Sequence, residues 1–139
     1  MGPPVDSEPR QLRQLTKAES LQLLTEVSFG RVIFTQNTMP AVRPVNHIID
    51  DVAVIFRTHL GAAVLTTIGM IVTYQADAID PDSHLGWSVI LHGYAHAITD
   101  PDTVARYEQL LRPWVRGEMT HVIRIYPEIV TGFELVKDE

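Results

Sequence analysis

The sequence of 139 residues contains no cysteine, and this absence excludes several kinds of chemistry at once. Without thiols the chain forms no disulfide framework, thiolate zinc site or iron–sulfur cluster, and it offers no cysteine nucleophile. No apolar run approaches the roughly 18 residues that a membrane-spanning helix needs, so no membrane partner is expected. The first ten residues lack the basic-then-apolar pattern of a signal peptide, which favours a cytoplasmic location.

Basic residues are also in the minority. Lys and Arg number 11 against 17 Asp and Glu, which gives a formal net charge of -6. Binding to a phosphate backbone needs a basic excess, so no nucleic-acid partner is expected. The length fits one domain, and the 45% apolar fraction supplies a core. We expect a flexible lead-in over residues 1–14 and a single domain over residues 15–139.

Local patterns predict two helices among many strands. Thr16 and Glu19 form a capping box at the start of a helix that Gly30 ends. The pair Asp100-Pro101 predicts a second helix start, with aspartate as the N-cap. Strands are predicted over 31–35, 41–49, 52–58, 70–78, 86–99 (bent near Gly93), 121–126 and 129–136. The count is six or so strands, and the short turns between them favour a mainly β fold, a small six-stranded antiparallel barrel with short helices.

The spacing of the histidines and carboxylates indicates neither a metal site nor an acid–base site. His92 and His96 lie in a predicted strand, where four residues span roughly 13 Å, so one zinc ion does not reach both. Asp50 and Asp51 occupy a predicted turn, where aspartate commonly bonds its own backbone. We therefore predict no metal site.

The hairpin over residues 41–58 offers a better cluster. A two-residue turn at Asp50-Asp51 would place Pro44 opposite Arg57, and Arg43 opposite Thr58. Two arginines beside a hydroxyl can grip a phosphate, because guanidinium groups bind it bidentately. Pro44 removes a ladder donor, which predicts an interruption or a sheet edge there. The alternative is a solvated hairpin with scattered charge.

An ordered set of motifs resembles a known family. The chain has Val27-Ser28-Phe29-Gly30-Arg31-Val32, Arg43-Pro44-Val45-Asn46-His47, Phe56-Arg57-Thr58, Gly86-Trp87-Ser88-Val89 and Val130-Thr131-Gly132-Phe133. This order, over about residues 15–136, resembles the pyridoxamine 5'-phosphate oxidase-like proteins, the flavin-binding split β-barrels that include nitroimidazole-resistance proteins and deazaflavin-dependent reductases. The resemblance implies a split barrel that forms a homodimer and binds FMN at the subunit interface.

The resemblance also implies roles for individual residues. Residues Arg43, Pro44, Val45, Asn46 and His47 would line the flavin ring, while Arg57 and Thr58 would meet the phosphate and Trp87 and Ser88 would approach the cofactor. The implied activity is a flavin-dependent oxidoreductase that moves a hydride to or from a small-molecule substrate. Arg43 and His47 would supply positive charge near the ring, and His47 is the candidate acid–base residue.

One segment departs from the family pattern. Many relatives follow the third strand with a Gly-(Ser/Arg)-Lys-Leu type segment, but this chain has Gly61-Ala62-Ala63-Val64. The loss of a charge-assisted bond removes on the order of 1.5–3 kcal/mol from phosphate binding. Three alternatives therefore stay open: a deazaflavin-dependent reductase, a barrel that binds a cofactor without catalysis, and a dimeric interaction module that has lost the cofactor. Basic residues beyond the second helix, Arg112 and Arg116 with Trp114 between them, could compensate.

Overall fold

The computed structural model describes residues 9–58, 69–111 and 121–137. Within these ranges the chain forms seven strands and two helices. In chain order they are β1 (Arg10–Leu15), α1 (Lys17–Leu24), β2 (Phe29–Gln36), β3 (Met39–Asp50), β4 (Ala53–Thr58), β5 (Ile71–Ile79), β6 (Gly86–Ala97), α2 (Pro101–Leu110) and β7 (His121–Lys137). Three groups of residues named above lie outside the described ranges: Gly61 to Val64, Arg112 to Arg116, and positions 1–8 of the lead-in.

The strands form one antiparallel sheet that closes on itself. The strand order is β1-β7-β4-β3-β2-β5-β6, and β6 also pairs with β7. Strands β2 to β7 therefore make a six-stranded ring, and β1 extends β7 along its carboxyl-terminal half. Closure of the ring reduces the number of open sheet edges, which limits the edge-to-edge association of a small all-β domain. The predicted mainly β, six-stranded antiparallel barrel is confirmed.

The predicted lead-in is wrong where it overlaps β1. This strand pairs with β7 from Arg10 opposite Lys137 to Leu15 opposite Gly132. Leu12 is 58% exposed, whereas Leu15 is buried. The backbone ladder holds β1 in place although most of its side chains face solvent. A sequence pattern based on buried apolar residues misses such a strand.

Both predicted helix starts are confirmed. The Thr16 hydroxyl accepts from the Glu19 N–H at 3.1 Å, and the Glu19 carboxylate accepts from the Thr16 N–H at 3.0 Å. Asp100 accepts from the Thr103 N–H at 3.0 Å, with Pro101 as the first helical residue. The first helix ends at Leu24 and not near Gly30. Gly30 instead lies in β2, which begins at Phe29.

The carboxyl-terminal strand is longer than predicted. The two expected strands over 121–126 and 129–136 form one strand of 17 residues, β7, that runs through Pro127. The bend predicted in β6 is confirmed as a register shift between His92 and Gly93 against β7. A Cβ at Gly93 would lie 2.0 Å from the Tyr126 carbonyl oxygen, so this close strand approach requires glycine.

The buried apolar residues form two clusters on opposite faces of the sheet. The larger one fills the barrel and includes Phe56, Tyr74, Trp87 and Leu91. The smaller one lies between the outer face of β3 and β4 and helix α2, and it includes Ile55 and residues of α2. Strand β4 is therefore buried on both faces, and its alternate side chains point either into the barrel or toward α2.

Candidate functional site

The β3–β4 hairpin has a different register from the predicted one. Ile49 lies opposite Val54, and the observed pairs run from Asp50–Ala53 to His47–Phe56. The predicted register, in which Pro44 lay opposite Arg57, is wrong by two residues. The turn consists of Asp51 and Val52, with Asp51 at a φ of 58°. Aspartate tolerates this left-handed conformation better than most residues.

Arg43 is part of a different strand pair. It lies opposite Val32 of β2, and its guanidinium donates to the Val42 carbonyl at 2.9 Å. It also stands 5.9 Å from the ring centre of Phe34, a residue of the barrel core. Along β3, Arg43 has the same parity as the buried Val45, so it belongs to the barrel side of the strand. It does not meet Thr58 as predicted.

Pro44 lies inside a continuous strand. It pairs with Arg31 of β2, so the predicted interruption is wrong. In the described part of the chain, β3 pairs with β4 only from His47 onward. Residues 43–45 therefore form a sheet edge: they pair with β2 on one side, and no described strand pairs with them on the other. Val45 is buried and lies opposite Gly30.

Arg57 lies on the other face of the hairpin, under α2. Its guanidinium donates to the Leu111 carbonyl at 3.1 Å and to the Glu108 carboxylate at 3.2 Å. The Arg57 side chain is 12% exposed, against 43% for Glu108. Continuing the hairpin register by one pair places Asn46 opposite Arg57 on this outer face. Arg57 is thus a sheltered cation near an amide side chain.

Thr58 follows Arg57 but points into the barrel. It is 1% exposed and pairs with His121 of β7. Successive side chains of a strand point to opposite faces, so the Arg57 guanidinium and the Thr58 hydroxyl do not converge on one group within a single copy. The predicted phosphate grip of two arginines and a threonine is therefore not assembled by the described residues of one chain.

His47 is a buried member of the barrel core. It is 4% exposed, its Nε2 lies 2.9 Å from the Leu24 carbonyl oxygen, and its Nδ1 bonds the Tyr74 hydroxyl. A carbonyl oxygen only accepts, so Nε2 carries the proton and Nδ1 accepts from Tyr74. Burial lowers the pKa of His47 and raises that of Tyr74. The ring is therefore neutral and does not supply the expected positive charge; its acid–base role stays a prediction.

A glycine makes room for this histidine–tyrosine pair. A Cβ at Gly30 would lie 2.5 Å from the Tyr74 hydroxyl oxygen, so β2 approaches the pair as closely as glycine allows. His47 also donates its backbone N–H to the Ser28 carbonyl at 2.8 Å. The pair thus connects the end of α1, β3 and β5 through buried polar groups. A cavity of about 440 Å³, lined by residues 24–28 and 47–49, opens beside it.

Trp87 and Ser88 lie on β6, away from the hairpin in the strand order. Trp87 is 8% exposed and packs in the barrel core, where it borders a cavity of about 280 Å³ near α1. Ser88 is half-buried on the outer face, opposite Asp77 of β5 and Phe133 of β7. The structure therefore separates these two residues by sheet face.

A second polar contact fixes α2 to the hairpin turn. The Tyr107 hydroxyl donates to Asp50, and the Arg106 guanidinium donates to the same carboxylate at 3.1 Å. The Tyr107 bond, followed by Arg106, holds the pKa of Asp50 below its usual range. Sequence reasoning missed Glu108 and this contact, because they depend on how α2 docks; the amphipathic pattern of α2 was the available signal.

Among residues 9–58, 69–111 and 121–137, no three histidine or acidic side chains converge to hold a metal ion. In the same ranges, neither helix is long and apolar enough to cross a membrane.

Two solved structures have a fold similar to that of this chain. The barrel matches the FAD-binding protein of Mycobacterium smegmatis with a TM-score of 0.76 and 30% identity, over 91% of this chain and 100% of that one. A FAD-binding protein of Mesorhizobium loti shares the fold at 19% identity and a TM-score of 0.69, over 88% and 97% of the two chains. This chain therefore has the split β-barrel fold that these two FAD-binding proteins share.

The sequence comparison is more specific. The family model of pyridoxamine 5'-phosphate oxidase matches residues 16–134. The chain belongs to this family. An uncharacterized protein of Mycobacterium tuberculosis is 45% identical over 135 residues, which cover 93% of this chain and 89% of that protein.

Proposed function

We propose that this protein binds a flavin, FMN in the first instance, and acts as an oxidoreductase on a small molecule. The observation that carries the proposal is the combination of the family barrel with Arg57, a sheltered guanidinium on the outer face of β4. The likeness to a FAD-binding protein at 30% identity over 91% of the chain supports a flavin as the ligand. When bound, the flavin ring would supply the redox chemistry.

The described residues fit such a ligand in part. Arg57 would bind the phosphate, and Asn46 lies on the same outer face. The edge of β3 over residues 43–45 would offer peptide groups to the ring, with Pro44 contributing only a carbonyl. Arg43 lies on the barrel side of β3 and Arg57 on the outer face. Arg57 would therefore bind the phosphate without a contribution from Arg43. His47, neutral and hydrogen-bonded at both nitrogens, would position β3 and not act as a cation.

A homodimer is part of the proposal. A row of exposed apolar side chains crosses three adjacent strands on the outer face of the barrel: Ile71, Tyr94 and Tyr126 are 57%, 43% and 47% exposed and pair in that order. Ile129, further along β7, is 61% exposed. Contiguous exposed apolar surface is typical of protein interfaces. A second copy is the occupant that the family resemblance favours.

The experiment is a binding titration with FMN, FAD and a deazaflavin, followed by absorption and fluorescence quenching. FMN should bind, and Arg57→Ala should weaken it at least about tenfold, which corresponds to the loss of about 1.4 kcal/mol. Arg106→Ala is the matched control: it removes another arginine of an ion pair, with Asp50 at 3.1 Å, without touching Arg57. Sedimentation of the same sample should give the mass of a dimer.

The outcomes separate the alternatives. A protein that binds none of the three cofactors contradicts the proposal, and equal affinities in the Arg57→Ala and wild-type proteins remove Arg57 from the site. Binding of the deazaflavin alone would favour the deazaflavin-dependent reductase. Binding of FMN without turnover of reduced nicotinamide and acceptor dyes would favour a barrel that holds the cofactor without catalysis.

A further inference from the structure

Arg57 is already engaged by the last turn of α2. Its NH2 group bonds the Glu108 carboxylate at 3.2 Å, and its NH1 group bonds the Leu111 carbonyl at 3.1 Å. The arginine side chain is 12% exposed, so the ion pair is sheltered on the arginine side and open on the glutamate side. An anion that approaches Arg57 therefore meets Glu108 as well.

We propose that Glu108 limits the attraction of Arg57 for phosphate and so sets the preference between flavins with and without a phosphate. The inference rests on the proposed function, in which Arg57 binds the phosphate of a flavin. It adds a residue of α2 that makes no contact with the flavin ring. Glu108 would act through Arg57 alone.

The physical basis is the competition of two anions for one guanidinium. A carboxylate at 3.2 Å neutralises the field of Arg57, and its own charge repels a phosphate that binds nearby. The Leu111 carbonyl also accepts from Arg57, at 3.1 Å, so we expect the arginine to keep its position when the carboxylate is removed. Removal of the glutamate charge should therefore strengthen phosphate binding without moving the donor.

Two other charged groups on this face, Arg106 and Asp50, contact each other. Arg106 of α2 is paired with Asp50 at 3.1 Å, so these two charges offset each other. Asp50 also accepts from the Tyr107 hydroxyl. The Glu108 carboxylate, by contrast, is in direct contact with Arg57 at 3.2 Å.

The test compares two flavins on two variants. In Glu108→Gln, the dissociation constant for FMN should fall by about three- to tenfold, while that for riboflavin, which lacks the phosphate, should stay unchanged. Glu134→Gln is the matched control, because Glu134 is also a partly exposed carboxylate paired with an arginine, Arg13. It lies twelve residues along β7 from Val122, the partner of Arg57, and should change neither constant.

Each outcome is informative. A gain for FMN alone, in the Glu108 variant alone, supports the proposal, and Glu108→Ala should reproduce it if the glutamine variant is poorly folded. An equal gain for both flavins, the same gain in Glu134→Gln, or no change in either variant overturns it while leaving flavin binding intact. Absence of flavin binding to the wild-type protein instead overturns the proposed function and this inference with it.

Discussion

The two faces of the β3–β4 hairpin treat polar groups in opposite ways. On the inner face, His47 is 4% exposed and bonds two neutral groups, the Leu24 carbonyl and the Tyr74 hydroxyl. On the outer face, Arg57 keeps its charge and faces the Glu108 carboxylate, which is 43% exposed. Burial in the barrel favours neutral partners, whereas the half-open space under α2 tolerates an ion pair.

This difference indicates which residue is suited to an anionic ligand. A neutral ring with both nitrogens engaged stabilises the fold, since its loss would leave buried polar groups without partners. A cation near the surface can exchange one anion for another at low cost, because water screens the exposed side of the pair. The inner face therefore maintains the barrel, and the outer face is the candidate for binding. Three measurements of protein stability test this contrast between the inner and outer faces of the hairpin.

The largest effect is expected from His47→Ala. The variant leaves the Tyr74 hydroxyl and the Leu24 carbonyl without their buried partner and opens a cavity, so it should cost about 3 kcal/mol of the free energy of unfolding. Urea denaturation measures it. His92→Ala is the control, because His92 is partly exposed and bonds Thr73 at 2.8 Å; it should cost under about 1 kcal/mol. Similar losses in both variants would contradict the special role of the inner pair.

A smaller effect is expected on the outer face from Asp50→Ala. Tyr107 is 1% exposed and donates to Asp50, so the change leaves a buried hydroxyl unpaired and should cost about 2 kcal/mol. Asp50→Asn retains an acceptor and should cost less than half as much. Both are measured by urea denaturation. Equal losses would show that the charge, and not the hydrogen bond, holds α2 on the hairpin.

The smallest effect concerns pH. Burial lowers the pKa of His47 in the folded state below its ordinary value of 6.5, so the unfolded chain takes up a proton that the folded chain does not. This contribution to stability is present above pH 6.5 and is lost as the pH falls below it, so stability should decrease from pH 7 to pH 5.5. Urea midpoints at the two pH values should show a smaller loss in His47→Gln; an equal loss would assign the effect to other groups.

The predictions from sequence succeeded where the signal is local. The Thr16–Glu19 capping box and the Asp100-Pro101 helix start involve residues three positions apart or less, whose geometry follows from the backbone alone. The bend near Gly93 follows from the missing side chain. The closed barrel followed from the number of short strands and turns. The two helix starts require no knowledge of distant contacts.

The predictions failed where distant strands decide. The hairpin register was wrong by two residues because the turn is Asp51-Val52, and a register shift alters which side chains are opposite one another. β1 was missed because its ladder to β7 joins residues more than a hundred positions apart. The burial of His47 required Tyr74 and Leu24 to be brought together by three different elements.

The pattern of short strands and turns, together with the ordered motifs, by itself predicted the fold class, the family and a list of candidate residues. Only the tertiary structure decided which of those residues share a surface. It placed Arg43 on the barrel side of β3 and Arg57 under α2, and it placed Glu108 on Arg57. The physical reason is that successive side chains of a strand point to opposite faces, so the face of a given residue is known only once the strand register and the closure of the barrel are known. Register and closure depend on contacts across the whole chain.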